Sequence, residues 1–332
     1  MALAYLQFAD GYYRKNGKPT SEVRDICLSV RPLRQLFGTL PARDFGPLHL
    51  KAVRQAFIDG GLCRNEVNKR TRRVVRFFGW GVEEAMVPSQ VHWGLKAVKG
   101  LKKGRSGVRE SEPVKPVPDA FVDAVKPFVR ARIWAMVQLQ RLSGMRPQEV
   151  CSMRTIDIDM SGRVWVYTPE THKTQHHDKQ RRIHLGPTAQ EILRPWLRTE
   201  LAAYLFSPRE AMDERRAERR QARRTPLTCS QRGRKREAKP KRSPGERYDT
   251  RSYYHAVLYG IRRANREAER VGNPPIPHWH PNQLRHNAAT RLRREFGLDV
   301  ARAVLGHSSP VVTEVYAELD GAKAAEAMER VG

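Results

Sequence analysis

Apolar residues recur at helical spacing from the first residues of the chain. In MALAYLQFADGYYRK (1–15) apolar and polar positions alternate at the three-to-four-residue step of an amphipathic helix until NGKPTS breaks it. PTSEVRDICLSVRPLRQLFG restarts behind Thr20 and Ser21 and ends at Gly38. GPLHLKAVRQAFIDGG and CRNEVNKRTRRVVRFFGWGVEE follow, and both are expected to close at their glycines. In the last of these, Val67, Val74, Val75, Phe77 and Phe78 point to a core. Arg64, Lys69, Arg70, Arg72, Arg73 and Arg76 fill much of the remaining circumference. Six cations on about three turns predict a helix that faces a polyanion rather than water alone.

KGLKKGRSGVRESEPVKPVPDA loses all periodicity and is rich in Gly, Pro and Lys, which reads as a basic interdomain linker over 101–118. Beyond it, DAFVDAVKPFVRARIWAMVQLQRLSG predicts one long helix. Ile133, Trp134, Met136, Val137, Leu139 and Leu142 make it apolar over most of its circumference, and so buried. TIDIDMSGRVWVY and THKTQHHDKQRRIHL alternate instead, with turns at Ser161–Gly162 and around His177–Asp178, and predict a small antiparallel sheet. After a helix in LGPTAQEILRPWLRTEL, the segment 207–247 holds 15 basic and 6 acidic residues with few aliphatics. It reads as a basic insert, disordered or partly helical. Helices return from about residue 250. The fold class is therefore mainly α with a small antiparallel sheet, divided as 1–100, a linker over 101–118, and 119–332.

Composition adds a partner. With 62 Lys and Arg against 35 Asp and Glu the chain carries +27, shared as +12 over residues 1–110 and +15 over the rest. A positive field of that extent points to nucleic acid. The four cysteines, Cys27, Cys63, Cys151 and Cys229, form no CxxC pair, which argues against a zinc site or a disulfide framework. His172, His176 and His177 lack acidic co-ligands and read as solvated or phosphate-facing, so no metal is expected. No signal peptide or membrane span is evident, and a soluble intracellular protein is expected.

Four stretches carry chemistry. In LSGMRPQEV, Gly144 suits a helix C-cap and Pro147 the first turn of the next helix. That puts Arg146 at a helix N-terminus, where free N–H groups and a guanidinium fork favour an anion, and Glu149 either orients that fork or caps the helix. In HPNQLRHNAATRL, Pro281 starts a helix with Leu284, Ala288, Leu292 and Phe296 inward, and Asn282 and Arg285 fall on one side. In VLGHSSPVVTEVY, Gly306 ends a helix, His307 follows, and Pro310 begins another helix carrying Tyr316. Lys173 sits in the hairpin THKTQHH.

In order and spacing, Arg146, hairpin Lys173, LRH, LGHSS and a tyrosine nine residues after that histidine resemble the tyrosine recombinase (phage integrase) family. The likeness covers about 120 to 320, and the helical basic first domain looks like that family's SAM-like core-binding domain. The resemblance implies a site-specific integrase with a mixed α+β catalytic domain. Tyr316 would attack a DNA phosphodiester, leaving a 3′-phosphotyrosyl link and a free 5′-hydroxyl. Arg146 and Arg285 would clamp the non-bridging oxygens, Lys173 would protonate the departing 5′ oxygen, and His307 would hydrogen-bond the phosphate. It implies no cofactor, double-stranded DNA as partner, a homo-oligomer reaching a synaptic tetramer on DNA, and a cytoplasmic, nucleoid-associated location. Asn282 departs from the pattern, which usually has histidine there. An asparagine donates a hydrogen bond but cannot shuttle a proton near neutral pH. That departure keeps two alternatives in view: a catalytically impaired DNA-binding protein on the same scaffold, and a type IB-like topoisomerase.

Overall fold

The computed structural model describes residues 1–15, 17–170, 180–226, 228–233 and 244–306. The chain divides into two compact units, Met1–Pro113 and Val114–Gly332.

In the first unit α1 (Ala2–Tyr12) leads into a two-residue hairpin of β1 (Arg14–Lys15) and β2 (Lys18–Pro19). Then come α2 (Ser21–Phe37), α3 (Pro47–Asp59), α4 (Arg64–Glu83) and α5 (Ser89–Lys96). α4 runs straight through Gly79 and Gly81, the residues expected to close it, because Phe77, Phe78 and Trp80 bury beside them and hold the turn. Its apolar positions meet Tyr5, Ile26, Val30, Leu50, Val53 and Phe57 in one core. The first part of the expected linker packs back onto α4: Asn68 bonds both the amide (2.8 Å) and the carbonyl (3.0 Å) of Leu101, and Arg64 pairs with Glu110 at 2.6 Å. Residues 115–117 belong instead to the second unit, where Asn287 accepts the Val117 amide at 2.9 Å and Gln283 donates to the Lys115 carbonyl at 2.9 Å.

The second unit opens with α6 (Asp119–Asp123), a 3-10 turn at Lys126–Phe128, and α7 (Ala131–Ser143). The single long helix expected here is broken because Pro127 cannot supply an amide to a continuous ladder. α7 is buried on most of its circumference, as its composition requires. α8 (Pro147–Cys151) leads to an antiparallel sheet in the order β3 (Ile158–Asp159), β4 (Trp165–Tyr167), β5 (Ile183–Leu185). α9 (Pro187–Leu193) lies against α7 and β5.

The basic insert is ordered at its start. α10 (Pro208–Gln221) is capped by Ser207, and the short α11 (Cys229–Arg232) follows. Two acids of α10 meet arginines of the unit's body: Glu210 and Glu214 accept from Arg132, which is 5% exposed, and Glu210 also accepts from Arg198 at 2.6 Å. The insert is thus partly helical, and removing α10 would strand a buried guanidinium. α12 (Thr250–Arg270), α13 (Pro281–Phe296) and α14 (Leu298–Leu305) complete the described part. Phe296, expected inward, is exposed, because α13's buried stripe is Pro281, Leu284, Arg285, Ala288 and Ala289. No helix among the described residues is long and apolar enough to cross a membrane.

Candidate active site

The site grows from the turn between α7 and α8. Gly144 has φ +66°, and a Cβ there would fall 2.5 Å from a Leu305 methyl and 3.2 Å from Ala288 Cβ. Only glycine meets both demands. Gln140 Nε2 donates to the Met145 carbonyl at 3.0 Å, and the buried Tyr253 hydroxyl donates to Gln140 Oε1 at 3.1 Å, so the turn is fixed from beneath. Arg146 follows as the N-cap of α8.

Glu149 fills both roles left open for it. One carboxylate oxygen accepts the Arg146 backbone N–H at 2.7 Å, and the other accepts its Nη1 at 2.8 Å. The Tyr167 hydroxyl on β4 donates to the Glu149 carbonyl at 2.8 Å and anchors α8 to the sheet. The expected helix-terminus anion site is corrected here: α8 is a five-residue helix and the Arg146 amide already serves Glu149, so the group suited to an anion is the guanidinium, beyond the Nη1 that Glu149 orients.

Arg285 is 6% exposed on α13. Its Nη1 donates to the Gly144 carbonyl at 2.6 Å and its Nη2 to the Leu305 carbonyl at 2.7 Å. One guanidinium therefore ties the turn before Arg146 to the last residue of α14. Carbonyls accept hydrogen bonds without cancelling a unit charge, so these bonds orient the fork and preserve its positive field.

A third arginine escaped the motif reading. Arg181, 5% exposed, donates from Nη1 to the Val304 carbonyl at 3.0 Å, and its Nε stands 3.6 Å from the Glu149 carboxylate, beyond hydrogen-bond length. Burial draws its pKa down, with the Glu149 carboxylate opposing and the Arg146 charge adding to that shift. A period-two signal was there to find: Arg181 shares the parity of Ile183 and Leu185, both buried, while Arg182 and His184 are exposed.

Asn282 lies on the exposed side of α13, one turn before Arg285. His280 precedes the helix, and its backbone amide donates to Gln283 Oε1 at 3.0 Å. His286 is half-buried beside Arg285, and burial first, then the Arg285 and His280 charges, lower its pKa. Lys173, His307 and Tyr316 fall outside the described residues, as do His172, His176 and His177.

The six cations on α4 fare differently from one another. Arg64 pairs with Glu110 and Arg70 with Glu66; Arg73 takes Glu22 and Asp25, and Arg76 also pairs with Glu22. Four of the six are thus ion-paired within the unit they belong to, Arg76 while still exposed, and Lys69 and Arg72 are exposed with no ion pair among the described residues. The sequence pattern counted cations without seeing the carboxylates that meet them.

Comparison with known proteins gives the same picture over the whole length. Residues 119–323 match the Phage integrase family model. Tyrosine recombinase XerC of Mycobacterium sp. (strain JLS) is 26% identical over 304 residues, covering 88% of this chain and 86% of the relative. XerC of Mycobacterium tuberculosis (strain ATCC 25177 / H37Ra) is 26% identical over 306 residues, covering 90% and 89%. Among solved structures, the Tn1549 transposon integrase in complex with transposon right end DNA aligns with a TM-score of 0.63 at 16% identity, over 99% of each chain. A lambda integrase dimer bound to a COC′ core site aligns at 0.58 and 14% identity, over 95% of this chain and 94% of the other. A helical first unit, an α-rich second unit around a three-stranded sheet, two arginines joined through one glycine turn, and a family match over most of the second unit agree: the chain belongs to the phage integrase family of tyrosine recombinases.

Proposed function

We propose that the chain is a site-specific DNA recombinase that cleaves and rejoins strands through a 3′-phosphotyrosyl intermediate. The Tyr316 oxygen attacks the scissile phosphorus as its proton passes to water or to the phosphate itself, the P–O5′ bond breaks, and Lys173 gives a proton to the leaving 5′ oxygen. A 5′-hydroxyl from the partner strand reverses the step, so the bond energy is kept in the protein–DNA link and no nucleotide cofactor is consumed. Arg146 and Arg285 neutralise charge gathering on the non-bridging oxygens, His307 hydrogen-bonds the phosphate, and Asn282 donates a further hydrogen bond to it.

The observation that carries this reading is the pair of hydrogen bonds that Arg285 donates to the Gly144 and Leu305 carbonyls. It brings the second arginine to the turn that bears the first, as a two-guanidinium phosphate clamp requires. XerC, Tn1549 integrase and lambda integrase supply the reaction class, and the last two are recorded on DNA. DNA binding with self-association follows from that kinship, with a tetramer as the synaptic form and the cytoplasmic nucleoid as the place of action. The exposed charge of Lys69 and Arg72 is assigned to phosphate contact outside the reacting centre.

Tyr316→Phe on nicked duplex tests the assignment. Covalent adduct is expected to vanish while DNA affinity stays, because one hydroxyl is lost and the basic surface is kept. Adduct on the Phe variant would place the nucleophile elsewhere.

A further inference from the structure

The last turn of α14 ends in two carbonyls held by arginines from different parts of the second unit. Leu305 O is taken by Arg285, and Val304 O by Arg181. Gly306 follows in the left-handed conformation at φ +63°, and a Cβ there would fall 2.5 Å from Arg181 Nη1. Arg181 therefore lies directly under the residue that precedes His307, ten positions before Tyr316. On its other side it faces the Glu149 carboxylate, which also holds Arg146.

This arginine is costly where it stands. It is buried, and its Nε and Nη2 have no hydrogen-bond partner among the described residues. A half-satisfied buried guanidinium lowers stability relative to an apolar side chain of the same length. Neighbouring Ile183 and Leu185 show that the strand can present such side chains inward. A residue that costs stability and spans two functional elements marks a functional constraint.

We infer that Arg181 is a positioning residue for strand cleavage, coupling the Glu149–Arg146 half of the phosphate clamp to the end of α14 from which the His307–Tyr316 segment departs. The inference rests on the recombinase reading above. Arg181 acts through Glu149 and the Val304 carbonyl and does not touch the phosphate. Its fork reaches both, which a single ammonium cannot do.

The test is single-turnover adduct formation on nicked duplex at saturating DNA, for Arg181→Met and Arg181→Lys. DNA affinity is expected to stay at the parent value, while the adduct rate falls by roughly tenfold to a hundredfold, the scale of a small misplacement of reacting groups. Lys recovers part of that loss. Each variant is then run on DNA with a neutral methylphosphonate at the scissile position, beside Arg146→Ala. Removing the phosphate charge restores part of the rate lost in Arg146→Ala and none of that lost in Arg181→Met. Equal restoration would put Arg181 on the phosphate and overturn the positioning role, and a parent-like rate in Arg181→Met would overturn the inference outright. If the Met variant does not fold, Arg181→Lys is read alone, with a parent-like rate overturning the inference and a slower rate at unchanged affinity supporting it. Adduct on Tyr316→Phe in the same assay would instead remove the recombinase reading itself.

Discussion

Two arginine clusters in this protein are built to opposite ends. Between α2 and α4, Arg73 and Arg76 meet Glu22 and Asp25, two cations against two carboxylates. At the turn between α7 and α8, Arg146 and Arg181 share one carboxylate, Glu149. The first cluster is balanced and partly wet; the second is drier and carries an excess of positive charge. Balance makes a cross-brace between helices, and imbalance makes a place for an anion. Motif spacing alone does not tell these apart, because it records the arginines and not the carboxylates that packing brings to them.

The comparison breaks most visibly at Glu149. Glu149→Gln removes the carboxylate that two cations share, and Glu149 itself is 1% exposed. A loss of roughly 3–5 kcal/mol is expected on denaturant unfolding of the second unit, the usual cost of breaking a buried pair. Adduct formation falls with it. A variant as stable as the parent would mean that the two guanidiniums find other compensation.

Glu22→Gln sharpens the contrast from the other side. Its carboxylate is held down to about 2, chiefly by the Arg73 hydrogen bond, against an ordinary value of 4.5. The folded-state value is depressed, so this contribution is fully present above pH 4.5 and is lost as pH falls through about 2. The side chain is a quarter exposed, so screening reduces the effect to about 1–2 kcal/mol at neutral pH, checked by urea unfolding. Wild type and Glu22→Gln should converge in stability at the acid end, and parallel curves down to pH 2 would reject the assignment.

Smaller again are Lys69→Ala and Arg72→Ala. Each is expected to leave unfolding unchanged and to reduce the slope of log K against log salt by about 0.9, one phosphate contact. Arg73→Ala should do the reverse, costing stability more than affinity. If all three behave alike, the ion pairs do not decide which cations reach DNA.

The smallest effect expected is at Asn282. Asn282→His places an imidazole on the exposed side of α13, one turn before Arg285. A modest rise in cleavage rate, or a new titration near the ordinary histidine range in its pH profile, is expected. A slower Asn282→His enzyme, with His280→Ala inactive, would transfer that role to His280.

Much of this was legible in the residues. Helical spacing gave the first unit, alternation gave the sheet, and the joint pattern of LRH and LGHSS with Arg146 and Tyr316 gave the family. These signals are local, because periodicity and motif spacing are properties of a few consecutive turns. The expectations that changed depended on what lies across space. The linker folded back because Asn68 and Arg64 offer partners to 101–110. The basic insert, expected as disordered or partly helical, docks its helix through carboxylates that meet Arg132 and Arg198.

The sequence by itself determined most element types, the charge, the glycine at 144 and the family the chain belongs to. Tertiary structure alone decided which arginines are cancelled and which remain. Charge compensation depends on side chains dozens of residues apart, 51 between Glu22 and Arg73 and 82 between Arg132 and Glu214. No local pattern encodes those pairings, because they exist only once the helices that carry them have packed.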